Sequence, residues 1–472
     1  MAKTVKSSAW ENQAPNFLSI SPLDGRNYHK ITPLSEYFSE LALNRMRLYV
    51  EITYLQHLGK IGVAPKLTEQ SSKKLLKIHE NFDESSMKEV RKIEHTTNHD
   101  VKAVEYFLKQ ELKKVGLNKH VEYVHWALAS EDVNNLAYSL LLRDYHREIL
   151  LPLIDQALDK LVDLAENADQ PMLGRTHGQP ASVTTMGKEL AVYLSRFQLT
   201  LTELRSTKFY GKISGATGAY VDQVALDAER DWPKLNADYI ESIDLEPLAL
   251  TTQILPYEPL ANYFHQLKLL QDTAIDLCQN LWWYVSLGYF KQKKVEKETG
   301  SSIMPHKINP IYLEGGEGGF QLSNALLSFY ADKFPYSRLQ RDLSDSTVRR
   351  SFGIAFAYSY LSWQSLVEAL QRLSINPEAI QQDLDNHWEI MAAPIQNYLR
   401  TKGYDQPYEL LKEKTRGLSL PKAKMLELIE TFPLEKADLE HLRELTPEKL
   451  SRTASQLANR TIKQYRRNRK AT

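Results

Sequence analysis

The stretch Leu267-Lys268-Leu269-Leu270-Gln271-Asp272-Thr273-Ala274-Ile275-Asp276-Leu277-Cys278-Gln279-Asn280-Leu281-Trp282-Trp283-Tyr284 places Leu267, Leu270, Ala274, Leu277, Leu281 and Tyr284 at steps that alternate three and four. Residues so spaced stay on one face of a helix and pack against partner helices at a shallow crossing angle. Three more seams repeat the pattern: Ile154, Leu158, Leu161, Ala165; then Leu190, Leu194, Phe197, Leu201, Leu204; then Phe356, Tyr360, Trp363, Val367, Leu370. Together they predict an all-α chain with a central long-helix bundle. Convincing strand alternation is scarce, and no Gly-x-Gly-x-x-Gly stands between a strand and a helix, so a dinucleotide is not indicated.

At 472 residues the chain exceeds one compact core. Three helical domains are expected, at 1–117, 118–375 and 376–472, with the new start at Asn376-Pro377-Glu378 marking the last boundary. Lys plus Arg and Asp plus Glu are equal at 59 each, which argues against a nucleic-acid or membrane-surface partner drawn by bulk charge. The single cysteine, Cys278, lies in an apolar run and has no intrachain disulfide partner; a reduced cytoplasmic setting fits. The start of the chain lacks an export signal, and the apolar run Leu277 to Phe290 is too short to span a bilayer, so it reads as a core helix.

In chain order, residues up to about Asn16 are polar and aperiodic, and Ser21-Pro22-Leu23-Asp24-Gly25-Arg26 is a turn that presents an arginine. Helical spacing runs from Leu34 to Leu58, and Thr68 caps a further helix to about His79. The next helical stretch carries His95 and His99 at i, i+4, as metal ligands on one face would be, but no third ligand has a matching spacing and no metal is expected. Gly315, Gly316, Gly318 and Gly319 call for close backbone packing or a helix break. Thr446-Pro447-Glu448 starts a last helix that ends in a basic tail, Arg466 to Lys470, read as solvated.

Three polar interruptions of the helical pattern draw the chemistry. Gly300-Ser301-Ser302-Ile303-Met304-Pro305-His306-Lys307-Ile308-Asn309-Pro310 sets two hydroxyls after a glycine and a lysine six residues beyond Ser301, and Asn309-Pro310 reads as an N-cap before a helix. Gly174-Arg175-Thr176-His177-Gly178-Gln179-Pro180 breaks the pattern between two seams, so His177 is exposed at a bundle end, a general-acid candidate. Arg341 to Arg350 gathers hydroxyls and guanidinium groups suited to phosphate or carboxylate, with a salt-bridged surface turn as the structural alternative.

These segments, with Ser-Pro-Leu-Asp-Gly-Arg from Ser21, Thr-Thr-Asn-His-Asp-Val-Lys-Ala-Val-Glu from Thr96, Ser130-Glu131-Asp132 and Thr-Thr-Gln from Thr251, are collinear with those of a known family. The chain resembles the bacterial-type adenylosuccinate lyase family of the fumarase/aspartase superfamily from about Ser21 into the C-terminal domain. The resemblance implies β-elimination of fumarate from adenylosuccinate, giving AMP, and from the succinylaminoimidazole carboxamide ribotide SAICAR, giving AICAR, without metal or organic cofactor. It implies Ser301 as general base and His177 as general acid. Substrate contacts are implied at Arg26, Asn27, Asn98, His99, Asp100, Ala129, Ser130, Gln253, Ser302, Lys307, Ile308, Asn309, Arg341, Ser346, Thr347 and Arg350. Three all-α domains in a homotetramer, with sites shared between subunits, complete the implied picture. The chain departs from the family pattern at Asn27, with Tyr28 displaced by one, at Ala129 where threonine is usual, and at Gly315 where asparagine can occur; these bear on nucleotide contacts.

A serine hydroxyl is a poor base. One lysine about 4 Å away at an effective dielectric of ~20 contributes about 4 kcal/mol, or about three pKa units. Loop amides and the helix start near Asn309 are therefore expected to add to Lys307, with the loop closing over bound substrate. The competing readings are another lyase of the superfamily, acting on argininosuccinate or malate, and a silent helical scaffold, which would have no use for Ser301, His177 and Lys307 together.

Overall fold

A computed structural model describes residues 17–296, 298–300 and 303–471. Ser301 and Ser302 lie outside the described residues, as does the polar start of the chain. The chain is all-α, as the seams predict. In the helix Glu258–Ser286, Leu267, Leu270, Ala274, Leu277 and Leu281 are buried and Tyr284 is half-buried. The seams of Leu151–Asn167, Met186–Arg205 and Phe352–Arg372 are buried in the same way, with Tyr360 half-buried. Among the described residues no helix is long and apolar enough to cross a membrane.

The chain divides into two compact units. One comprises 1–153, 202–271 and 319–361; the other 154–201, 272–318 and 362–472. In the first, aromatic rings fill the core: Phe264 meets Phe352 edge-on with centroids 5.5 Å apart, and Phe38 stacks on Phe356 at 5.0 Å. Pairs in these geometries add about 0.5–1.5 kcal/mol to the burial of their area. A buried ion pair sits beside this core. Lys212 Nζ lies 2.7 Å from Asp132 Oδ1, both side chains fully buried. Asp132 also accepts from the backbone N–H groups of Ala129, Ser214 and Gly215 at 2.7, 3.0 and 3.2 Å, so its carboxylate replaces water with three amide donors and the Lys212 charge.

In the second unit the interruption around His177 is a β-hairpin, not a helix end. Strand Pro171–Thr176 pairs antiparallel with Gln179–Thr185, in register Thr176↔Gln179. The two-residue turn His177-Gly178 has φ of 52° and 72°, the left-handed pair that matches strand twist. Leu173 anchors the hairpin in a C-terminal cluster with Leu384, Trp388, Met391 and Ile395. Two further short pairs, Tyr210–Gly211 with Glu246–Pro247 and Phe290–Gln292 with Leu373–Ile375, complete the strands described.

Several local expectations change. The helix 34–58 is interrupted at Ser39, whose side chain caps Glu40–Lys60 by accepting from the Ala42 N–H. The stretch around His95 is two helices, Glu84–Thr97 and Asp100–Lys114, because Asn98 adopts the left-handed conformation at φ 50°; His95 and His99 therefore share no helix face. The run Leu277 to Phe290 is only partly core: its helix ends at Ser286, Phe290 is in a strand, and Trp283 is exposed. The helix after Pro310, Ile311–Lys333, is unbroken through its glycines, and a Cβ on Gly316 would lie 3.6 Å from Cys278 Sγ and from the Ser362 carbonyl. Burial pushes the Cys278 thiol up to about 12.

The C-terminal helix Pro447–Ala471 starts where expected, but its basic end is not merely solvated. Arg466 meets Asp163 at 3.1 Å and Glu166 at 2.7 Å, and Arg469 meets Asp155 at 3.3 Å. The acidic side chains lie on one face of Leu151–Asn167 because they recur at helical spacing. Asp132→Ala should cost about 3–5 kcal/mol, since it strands Lys212 without a counter-charge; urea denaturation of the two proteins measures it, and a loss below about 1 kcal/mol would contradict this account of the buried pair.

Candidate active site

The arginine-rich segment is held by a buried carboxylate. Arg341 precedes the short helix Ser344–Arg349 and Arg350 follows it. Arg349, almost fully buried, binds Glu131 through both nitrogens at 2.6 and 2.8 Å, and Arg341 Nη2 lies 3.3 Å from the same carboxylate. Asp345 receives Arg341 at 3.1 Å and the Tyr257 hydroxyl at 3.0 Å. Glu131 directly follows Ser130, the first residue of Ser130–Tyr145, so two distant motifs are stapled at one point. The surface-turn alternative thus holds for part of the segment: Arg349 and Asp345 are structural, whereas Ser346 is half-buried and Thr347 and Arg350 are exposed.

Arg350 reaches Asp100 at 3.0 Å, and Asp100 also receives the buried Arg47 at 2.9 Å. Burial would raise the Asp100 carboxyl, but Arg47, the Val101 amide and Arg350 hold it down to about 2, so it is ionised at neutral pH. Arg47 is itself oriented by Asn134 at 2.9 Å and Asn44 at 3.0 Å. Asn44, Arg47, Asp100 and Arg350 border a cavity of about 410 Å³ that Phe38, Tyr138 and Phe352 also line. Asn98 and His99 stand exposed at the adjoining helix junction, where the His99 ring accepts from the Lys102 N–H at 3.2 Å. Gln253 lies beside the arginine segment: its N–H donates to the Gln340 carbonyl at 3.2 Å, and its amide donates to the Ala216 carbonyl at 2.9 Å. Arg26 is exposed on a turn closed by Gly25 N–H to Ser21 O and Asn27 N–H to Pro22 O.

The approach to Ser130 is strained. His125 and Ala127 have φ of 60° and 53°, a region that costs a non-glycine residue on the order of 1–3 kcal/mol. Glu51 holds the turn, accepting from the His125 backbone N–H at 3.0 Å and meeting its Nδ1 at 2.5 Å, while Glu105 lies 3.5 Å from Nε2. Ala129 and Ser130 are half-buried at the end of this turn. Arg47 and Glu51 were not singled out from the sequence, and Glu131 entered only as part of the Ser130-Glu131-Asp132 motif, without a role. The signal was present: Asn44, Arg47 and Glu51 fall on the apolar side of a helix and are all buried.

In the second unit His177 is exposed at the hairpin tip. Around the serine-bearing loop, a Cβ on Gly300 would lie 2.2 Å from the Lys307 carbonyl oxygen. Only glycine allows so close an approach of its backbone to that of Lys307. Arg372 braces both sides of that loop, pairing with Glu298 at 2.6 and 3.1 Å and lying 4.5 Å above the Tyr312 ring. Lys307 and Ile308 are exposed and Asn309 is half-buried. Asn309 does not cap the helix. The Pro310 carbonyl accepts from the Leu313 and Glu314 N–H groups, the helix begins at Ile311, and the Asn309 Oδ1 is buried with no hydrogen-bond partner among the described residues. Among the described residues no group of three or more His, Cys, Asp or Glu side chains is placed to hold a metal.

Fold and sequence together define a lyase of the fumarase/aspartase superfamily. A lyase family model matches residues 25–320, and an adenylosuccinate lyase C-terminal model matches residues 337–450. Adenylosuccinate lyase from Legionella pneumophila (strain Corby) is 41% identical over 444 residues, covering 93% of this chain and 97% of that protein; the one from Escherichia coli (strain K12) is 39% identical over 434 residues, covering 91% and 95%. The chain belongs to the adenylosuccinate lyase family. Among solved structures, a fumarate lyase from Mesorhizobium sp. BNC1 superposes with a TM-score of 0.72 at 19% identity, covering 91% of this chain and 97% of that one, which speaks to the fold alone.

Burial and Lys102 act to lower the His125 imidazole, but Glu51 and Glu105 outweigh them and raise it. A raised histidine adds stability that is fully present below its unfolded value, near 6.5, and is lost as pH rises through the higher folded value. The gap in thermal midpoint between the native protein and His125→Gln should therefore be widest below about pH 6.5 and narrow as pH climbs. A gap that widens with pH would contradict the carboxylate clamp.

Proposed function

We propose that this protein is a C–N lyase of purine nucleotide biosynthesis that eliminates fumarate from adenylosuccinate, leaving AMP, and from SAICAR, leaving AICAR. The observation that carries the reading is the match, at about two residues in five, to adenylosuccinate lyases over more than nine-tenths of the chain. In this reaction the Cβ–H bond of the succinyl group breaks, its electron pair forms the fumarate double bond, and the C–N bond breaks with its pair going to nitrogen. Ser301 is the base that takes the Cβ proton and His177 the acid that protonates the departing nitrogen.

Gln253, Ser302, Lys307 and Asn309, with Ile308 beside them, hold the succinyl carboxylates and the loop. Arg26, Arg341, Ser346 and Arg350 take the nucleotide phosphate, and Asn27, Asn98, His99, Asp100, Ala129, Ser130 and Thr347 make the further substrate contacts. Support comes from the close approach of the Lys307 carbonyl to Gly300, the residue before Ser301, and from the exposed Arg350 side chain. The same reading divides the chain into domains 1–117, 118–375 and 376–472. It makes the active form a cytoplasmic homotetramer whose subunits share sites.

Incubating the purified protein with adenylosuccinate and following its ultraviolet absorbance tests the reading; an unchanged spectrum at high enzyme concentration would refute it. Ser301→Ala and His177→Ala should each lower turnover by about 10²–10⁴-fold with substrate binding largely retained. Near-normal turnover by Ser301→Ala would remove the base assignment. Gly300→Ala should lower turnover by about 100-fold, because its methyl group must displace the Lys307 backbone by an ångström or more; thermal melting checks that the fold survives.

A further inference from the structure

The hairpin that carries His177 is tied to one carboxylate of the helix Pro377–Asn386. Arg175 lies two residues before His177 on the first strand. Its Nη2 donates to Asp383 Oδ2 at 2.6 Å and its Nη1 to the Tyr289 hydroxyl at 2.9 Å, and that hydroxyl donates to the same Asp383 oxygen. His387 Nε2 lies 3.7 Å from the other oxygen, Oδ1. Burial, and then Asp383, push the Tyr289 phenol up to about 12, so it stays a donor at neutral pH.

Each partner is itself fixed. Ile380 and Leu384, on either side of Asp383, are fully buried, Tyr289 is buried, and its carbonyl accepts from the Asn376 N–H at 2.8 Å. The hairpin's own pairing is weaker here: the register shifts between Gly174 and Arg175, and Arg175 faces Pro180, which has no N–H to donate. Beyond this point only the last strand pair and a two-residue turn support the tip, so the direction of His177 depends on where Arg175 is held.

We propose that Asp383, acting through Arg175 and with Tyr289 as its brace, is a positioning residue for the proton donor His177. The proposal rests on the lyase reading and on His177 as its acid, and it extends the reaction's machinery to the helix Pro377–Asn386. A guanidinium held through both terminal nitrogens, one by the Asp383 carboxylate and one by the Tyr289 hydroxyl, is fixed in direction as well as distance, and small misplacements of a proton donor are costly to the rate.

The test is a double-mutant cycle on the full-length protein with adenylosuccinate, with single-turnover measurements for slow variants. Asp383→Ala should lower kcat at least about tenfold and leave KM within about twofold, with Asp383→Glu recovering part of the loss. In a His177→Ala background the same Asp383→Ala change should alter the residual rate by less than about twofold, since the group it positions is gone. Tyr289→Phe, which removes one hydroxyl, repeats the comparison should Asp383→Ala fail to fold.

An unchanged kcat in the native background, or the same loss with His177 absent, overturns the proposal while leaving the lyase reading intact. No turnover by the native protein, or full turnover by His177→Ala, overturns the reading and the proposal together.

Discussion

Glu131 is buried to about 1% exposure, and a carboxylate removed from water to that extent is tolerated only when its oxygens are fully engaged. Arg349 supplies a bidentate partner and Arg341 a further contact. Arg349 in turn packs over the Tyr138 ring at 5.0 Å, and its neighbours Asp345 and Tyr257 bond one another. The consequence is geometric as much as energetic. Residues more than two hundred positions apart are brought to one point, and Ser130, Arg341, Ser346 and Arg350 inherit their places from it. Loss of one member leaves a charge stranded, so the network assembles as a whole.

Within each of the two units the functional candidates occupy the ends of regular elements. Asp100 and Ser130 are first residues of helices, His177 stands in a two-residue turn, Arg350 follows a short helix, and Lys307 lies in the loop before Ile311–Lys333. Helix interiors spend their backbone groups on one another; the ends leave side chains and amides available. Positions such as Asn98, His125 and His177, with φ between 50° and 60°, are the local cost of these ends. Each is held by a specific partner nearby, as Glu51 holds His125 and Asp383 holds the hairpin through Arg175.

The long helices were legible because burial at intervals of three and four is a local signal, and the residues of all four seams are buried or half-buried. The hairpin was not. Met172 and Leu173 are its buried pair on the first strand and are consecutive, so no alternation marks the strand; the visible sign was His177-Gly178 as a turn. The break at Asn98 was legible in principle, since asparagine tolerates the left-handed conformation and His99-Asp100 can open a helix. Asn309 before Pro310 carried the right residue types for a cap, yet the helix begins one residue later and its side chain caps nothing in it. The resemblance pointed to Arg341 and Arg350, but it gave Glu131 no role and did not include Arg47 behind them. Their partners come from distant parts of the chain, and no local pattern encodes such pairing.

The buried Asn309 Oδ1 and the contact of Gly300 with the Lys307 carbonyl bear on how a serine hydroxyl serves as a base in the proposed reaction. A lysine at about 4 Å and an effective dielectric of ~20 lowers a hydroxyl pKa by about three units, which leaves no standing alkoxide at neutral pH. The remaining driving force has to arise when the Cβ proton departs, as charge builds on the adjacent carboxylate and is met by groups already in place. The close approach of Gly300 to the Lys307 carbonyl fixes the main chain at these two residues, so less ordering of that backbone is left for the reaction itself. The base therefore needs to be only moderately strong, provided that the positive charge around the developing aci-carboxylate is fixed rather than recruited.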